Sequence, residues 1–368
     1  MHRHQKRVLY LDGLRGVAIL SVMLWHYTNW DYARFFPYGT AYAAIPVLDH
    51  GWVGVNIFFL ISGYVILLTL DRCSTFLEFM VRRWFRLFPA MLIASLIVFS
   101  ASRVIGDHMP HGRPDPVNLL PGLTFLIPPL WQSLLGRPVG ELDGVYWTLY
   151  VEMGFYVTFG FLYFWLGWRR GIAGLAILWL SIITTSRLAN GFELTSVKDL
   201  IEHLRWMGAE YFGWFVSGAL FLKASETASH RLFVLAVIAG LASALTSGLW
   251  QPSDALSCIY LSGCVAFFAV AQRSKYLQQA LSTPALLFVG AVSYPLYLLH
   301  NELGIGLIGA TAEALPEGRW LVLPLFMMGL MLAMAWAVSR WLEPCITQRF
   351  RGRLLSLVRK GGPAAPSE

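Results

Sequence analysis

Charge is scarce in this chain. Asp, Glu, Lys and Arg make up 13% of its 368 residues, about half the share of a soluble globular domain. With 57% hydrophobic residues and a mean hydropathy of +0.57, that shortage excludes an ordinary water-soluble fold and points to a polytopic membrane protein. Cysteine is scarce too. Cys73, Cys258, Cys264 and Cys345 form no CxxC pair and no zinc spacing, so neither a disulfide framework nor a metal site is expected. No small-residue cleavage site follows the basic MHRHQKR start, and the run behind it contains Asp, Arg and His. It reads as an uncleaved first transmembrane helix, not a signal peptide. No internal repeat is visible, which removes support for the paired architecture of many transporters. The net charge of +7 does not indicate nucleic acid, because the basic residues fall in short clusters between apolar spans.

Ten apolar spans are present, near 12–30, 52–70, 84–105, 146–166, 170–187, 206–222, 231–250, 255–271, 285–309 and 320–342. The expected fold is an all-α polytopic membrane protein, a bundle of about ten transmembrane helices with both termini cytoplasmic. With that alternation the inner segments hold 18 Lys and Arg against 8 outside, the bias of the positive-inside rule. Residues 1–345 read as the transmembrane domain and 346–368 as a basic cytoplasmic tail whose GGPAAPSE end is disordered. The longest connection, about 106–145, carries seven prolines, which forbid one regular helix. Its apolar patch from Leu123 to Leu135 favours packing on the outer face; a surface loop is the alternative.

Within this apolar background a few polar residues stand out. The stretch LDGLRGVAILSVMLWHY places Asp12, Arg15 and His26 in a membrane-grade segment, where ionisable groups usually face a protein interior or a wet cavity. Arg15 and His26 share a helix face to within about 20° and lie about 16 Å apart in depth. Asp12 is one turn from Arg15 and able to pair with it. Asn56 interrupts the second span, where helix packing is the simpler reading. Arg83 and Arg86, with Arg82, precede the third span at a spacing that shares a face. They are either topology charges or a clamp for phosphate, whose oxygens match guanidinium forks. Glu152 lies in the fourth span between Trp147 and Tyr156, and needs a partner: Arg15, His26 or an arginine of the pair. In SYPLYLLH, Ser293, Tyr297 and His300 put hydroxyls and an imidazole on neighbouring turns, with Pro295 bending the helix; a hydrogen-bonded core histidine is the plainer reading of His300.

Five pieces, LDGLRGVAILSVMLWHY, GWVGVNIFFLISGYVI, RRWFRLFPAM, YWTLYVEMGFY and SYPLYLLH, together resemble acyltransferase family 3, the bacterial ten-helix transmembrane acyltransferases, in family order and over nearly the whole chain. The resemblance implies a multi-pass protein of the bacterial inner membrane, with acyl-CoA, usually acetyl-CoA, as donor from the cytoplasm and no tightly bound cofactor. It implies a hydroxyl acceptor on a surface polysaccharide, lipopolysaccharide or lipid-linked sugar; macrolides serve in some members. It places the essential histidine at His26, the first-helix arginine at Arg15, the arginine pair at Arg83 and Arg86, and the fourth-helix acid at Glu152. Asn56 departs from the Asp of many members. The chain reads as the short form, without an added soluble domain.

The expected mechanism docks the CoA phosphates on Arg83 and Arg86, with Arg15 joining them. The pantetheine arm carries the thioester to His26, which acts as general base or transient acyl carrier. Glu152 orients the imidazole. A transporter with an Arg, His and Glu proton relay, and a scaffold subunit for glycan assembly, are the competing classes. The acceptor, the acyl chain length and the oligomeric state are not written in these motifs.

Overall fold

Long apolar runs in hydrocarbon satisfy their backbone polar groups by forming α-helices. The computed structural model describes residues 8–192, 208–247, 255–312 and 322–347, and all regular structure among them is helical. The long helices are α1 (Leu9–His26), α2 (Gly54–Leu70), α3 (Phe76–Ile105), α4 (Trp147–Phe192), α5 (Phe212–Thr227), α6 (His230–Ser247) and α7 (Ala255–Arg273). Shorter pieces follow: α8 (Lys275–Leu281), α9 (Pro284–Ala291), α10 (Ser293–Leu299) and α11 (Glu302–Ala312), then α12 (Val322–Ala337). Five described segments are long and apolar enough to cross a membrane: Gly51–Leu70, Phe76–His108, Gly144–Ser186, Ala255–Arg273 and Val322–Thr347. The chain is therefore an all-α, multi-pass membrane protein. The location of its two termini, and the tail beyond residue 347, lie outside the described residues.

α4 is two helical arms. Gly167 has φ 76° and ψ 169°, which ends the first arm and favours glycine. A Cβ on Gly171 would lie 3.4 Å from the backbone of Tyr163. In a straight helix those residues would stand about 12 Å apart, so the second arm folds back along the first.

Two expected boundaries change. α3 starts at Phe76 rather than near 84, because Thr75 caps it: its hydroxyl accepts from Glu78 N–H at 3.1 Å. Arg82, Arg83 and Arg86 therefore sit on α3, not before it. The expected span 285–309 is broken into α9, α10 and α11. Pro295 has no N–H to offer Ala291, the residue at which α9 ends.

α1 is seated backbone to backbone. A Cβ on Gly13 would lie 1.7 Å from Leu281 O, and one on Gly290 1.8 Å from Asp12 O. On another side, a Cβ on Gly54 would meet Ala18 O at 2.5 Å. These contacts fix α1 against α2, α8 and α9.

The helix ends sort the charges. Asp71, just past α2, accepts from Tyr163 Oη at 2.7 Å and from Lys223 Nζ at 2.8 Å, bringing the ends of α2, α4's first arm and α5 together. Arg72 and Arg82 lie at this same basic end. The segment between α3 and α4 covers the other end with short helical turns, including Leu119–Thr124 and Pro128–Leu135. Of the patch Leu123–Leu135, only Phe125 and Pro128 are buried, while Leu126, Leu130, Leu134 and Leu135 are exposed. The expected packing of this patch is thus largely not made: Phe125 and Pro128 turn inward, and these four leucines stay exposed.

Candidate active site

Three arginines, Arg15 on α1 and Arg83 and Arg86 on α3, reach one cavity. A chamber of about 110 Å³ between α1, α2, α3, α4 and α10 is walled by Arg15, Ser62, Arg83, Arg86, Thr148, Glu152, Tyr156, Ser293, Tyr294 and Tyr297. It adjoins a wider basin of about 670 Å³ at the basic end, which shares Arg15, Arg83 and Arg86 and adds Asp12, Arg72 and Arg82. Two of these cations are matched: Arg15 pairs with Asp12 at 2.8 Å and Arg82 with Glu78 at 2.7 Å. Arg83 and Arg86 form no close ion pair with a described carboxylate. Arg83 donates to Thr69 Oγ1, and its buried Nε has no partner. Its guanidinium lies 5.8 Å from the Tyr156 ring, and that of Arg86 lies 5.8 Å from Tyr294. Two cations not closely paired and an orphan donor on a cavity wall suit an anionic, oxygen-rich group.

Glu152 belongs to this chamber. Its Oε1 accepts from Ser62 Oγ at 2.9 Å and from Tyr156 Oη one turn away. It lines the wall with the arginines, so of the partners weighed for it the guanidinium groups are those it faces. The expected contact with the imidazole is not made. The physical reason is local: the Ser62 and Tyr156 hydroxyls satisfy the carboxylate where it stands.

His26 ends α1 beyond the chamber and is buried, with 5% exposure. Its Nδ1 lies 3.0 Å from Val22 O and 3.1 Å from His300 Nε2, and His300 Nδ1 lies 2.8 Å from Tyr297 O. Tyr297 joins the two regions. It walls the chamber, its hydroxyl accepts from Thr148 Oγ1 at 3.1 Å, and its ring lies 5.3 Å from that of His300. Ser293 lines the chamber with its hydroxyl spent on Gly290 O at 2.9 Å. Asn56 is buried on α2 and lines neither cavity. Trp147 packs against Phe59 and Tyr211, so it supports the wall without forming it.

A family model described as an acyltransferase domain matches residues 8–340. The chain belongs to acyltransferase family 3. Nodulation protein 10 of Rhizobium leguminosarum bv. viciae is 25% identical to this acyltransferase over 355 residues, covering 89% of this chain and 90% of that one. The peptidoglycan O-acetyltransferase OatA of Listeria monocytogenes is 25% identical over 342 residues, 80% of this chain and 49% of OatA. The exopolysaccharide production protein ExoZ of Rhizobium meliloti is 27% identical over 270 residues, 68% of this chain and 76% of ExoZ. No solved structure matches the chain.

The acyltransferase also carries a polar cluster that sequence reasoning missed. Asp143, fully buried just before α4, accepts from Asn301 Nδ2 at 2.8 Å, Glu302 N–H at 3.2 Å and Val145 N–H at 3.0 Å. His111, from the segment after α3, bonds the Glu302 carboxylate through Nδ1 and its backbone N–H. Burial, then the neighbouring Glu302, raises Asp143 to about 7. Burial and Asp143 raise Glu141 to about 7. The hydrogen bond to Glu302 raises His111. All three hold protons more tightly folded than unfolded, where carboxyls titrate near about 4. The contribution of the two carboxyls is complete below about pH 4 and is lost as pH rises through about 7; that of His111 is complete below about pH 6.5 and is lost as pH rises through its raised value. Hydrogen exchange in residues 106–143 should therefore quicken between about pH 6 and 8 beyond the intrinsic rate; a flat, intrinsic-only profile would refute the linkage.

Proposed function

We propose that this chain is a membrane O-acyltransferase that moves an acyl group, acetyl in the simplest case, from cytoplasmic acyl-CoA to a hydroxyl of a surface glycan or lipid-linked sugar. The observation that carries the reading is the pair Arg83 and Arg86, not closely ion-paired with any described carboxylate and facing a cavity that ends near a buried histidine. The O-acetyltransferase name of one relative and the exopolysaccharide name of another support the acceptor class.

In this reading the donor phosphates sit in the basin on Arg83 and Arg86, with Arg15 as a third cation. The pantetheine arm threads the chamber past Tyr294 and Tyr297. His26 takes the acceptor hydroxyl proton as the oxygen attacks the thioester carbonyl. The C–S bond breaks, and the thiolate of CoA recovers the proton from His26, so no net proton is released. Glu152 balances the arginine charge and keeps the chamber walls in register through Ser62 and Tyr156. The reading includes ten spans with both termini in the cytoplasm and residence in a bacterial inner membrane, with acyl-CoA as a co-substrate and no tightly bound cofactor.

The test uses the full-length chain in detergent with acetyl-CoA and a glycan fraction from its own host. Free CoA thiol should appear, and mass spectrometry should find acetyl groups on surface glycans of strains that carry the gene and not on those that lack it. Identical glycans in both strains, with no thiol released, would sink the proposal.

A further inference from the structure

We infer that His300 is a positioning residue: it holds His26 in one tautomer and shares the charge that His26 takes up. The inference rests on the reading of His26 as the base in the section above. A carbonyl oxygen only accepts, so the 2.8 Å contact between His300 Nδ1 and Tyr297 O requires a proton on that Nδ1. In neutral His300 the Nε2 atom is then a lone pair, and it points at His26 Nδ1 from 3.1 Å. The same His26 Nδ1 lies 3.0 Å from Val22 O, a second pure acceptor. Two acceptors converge on one nitrogen, and that nitrogen carries the proton. The opposite assignment would set a His26 lone pair against the Val22 carbonyl inside a buried site, since His26 is 5% and His300 0% exposed.

With the proton fixed on Nδ1, the lone pair of His26 is at Nε2, free to accept from the acceptor hydroxyl. When Nε2 takes that proton, the Nδ1–H bond to His300 becomes charge-assisted and strengthens. This is the work a carboxylate does in a hydrolase triad. Here Glu152 is committed to Ser62 and Tyr156, Asp143 to Asn301 and the Glu302 N–H, and an imidazole 274 residues along the chain from His26 takes the place of a carboxylate. Sequence distance hides the pair; the break between α10 and α11 delivers it.

The experiment compares full-length H300F, which keeps the ring volume without an acceptor, with H300Q, whose side-chain carbonyl restores one. [14C]acetyl-CoA is supplied to membranes holding each variant, and label in the glycan fraction is followed. H300F should lower kcat about 10- to 1,000-fold, less than loss of a triad carboxylate because Val22 still holds the proton. Its KM for acetyl-CoA should stay within about twofold, and H300Q should recover part of the rate. 15N spectra of wild type should show His26 protonated at Nδ1. An unchanged kcat in H300F, an Nε2–H tautomer, or a KM that rises in step with the kcat loss would overturn the inference. So would H300Q no faster than a folded H300F. If H300F fails to bind acetyl-CoA, H300Q and the tautomer decide. An inactive H26A beside a fully active H300F would remove only the role of His300, whereas an active H26A would remove the base itself.

Discussion

His26→Ala is expected to abolish acyl transfer while the protein still inserts and still binds its donor. His26 sits past the end of the arginine chamber, and its nearest polar contacts are Val22 O and His300 Nε2. Removing it therefore leaves the arginine wall intact. A positioned base supplies about 10²- to 10⁴-fold in rate, and loss of the whole catalytic imidazole should take turnover to the limit of detection. His26→Gln refines the test, because an amide hydrogen-bonds but neither accepts a full proton nor carries an acyl group. Both variants are checked by label transfer from acetyl-CoA alongside equilibrium donor binding. Transfer by the Gln variant would show that position 26 only orients the acceptor.

The paired substitution Arg83→Ala, Arg86→Ala should do the reverse, weakening the donor with the base left in place. Each charge-assisted contact to phosphate is worth about 1.5–3 kcal/mol. Losing two corresponds to about 10²- to 10⁴-fold in the dissociation constant for acetyl-CoA. Folding should survive, since Glu152 keeps its hydrogen bonds from Ser62 and Tyr156 and Arg15 stays on the same wall. Lys at both positions should recover only part of the affinity, because an ammonium keeps the charge without the planar fork. Unaltered acetyl-CoA binding in the Ala pair would reduce Arg83 and Arg86 to topology charges.

Much of the architecture was legible in the chain itself. Apolar runs mark the helices, and the Arg15–His26 and Arg83–Arg86 spacings announce shared faces, because helical periodicity is a local property. The partners of those residues were not legible. Ser62 bonds Glu152 across 90 positions, and His300 meets His26 across 274. Asp143, in a proline-rich connection, looks like an ordinary surface acid until α11 brings Glu302 and Asn301 to it. The early start of α3 had a sequence cue in Thr75 and Glu78, a capping pattern that the apolar run near residue 84 overshadowed. Glu152 had a local cue in Tyr156, but nothing local says that its second ligand comes from α2.

The backbone seating of α1 has a consequence for donor size. A helix pinned at Gly13 by Leu281, with Gly54 against Ala18 and Gly290 against Asp12, has no freedom to slide or lengthen. The interval from Arg15 to His26 is therefore a ruler of about 16 Å, set by helical rise alone. In the proposed mechanism, with the donor phosphates on the arginines and His26 as the base, a carrier has to span it with its own flexible arm. On that mechanism, short activated acyl compounds such as acetyl phosphate should satisfy the charges at one end of that ruler or reach the imidazole at the other, but not both at once.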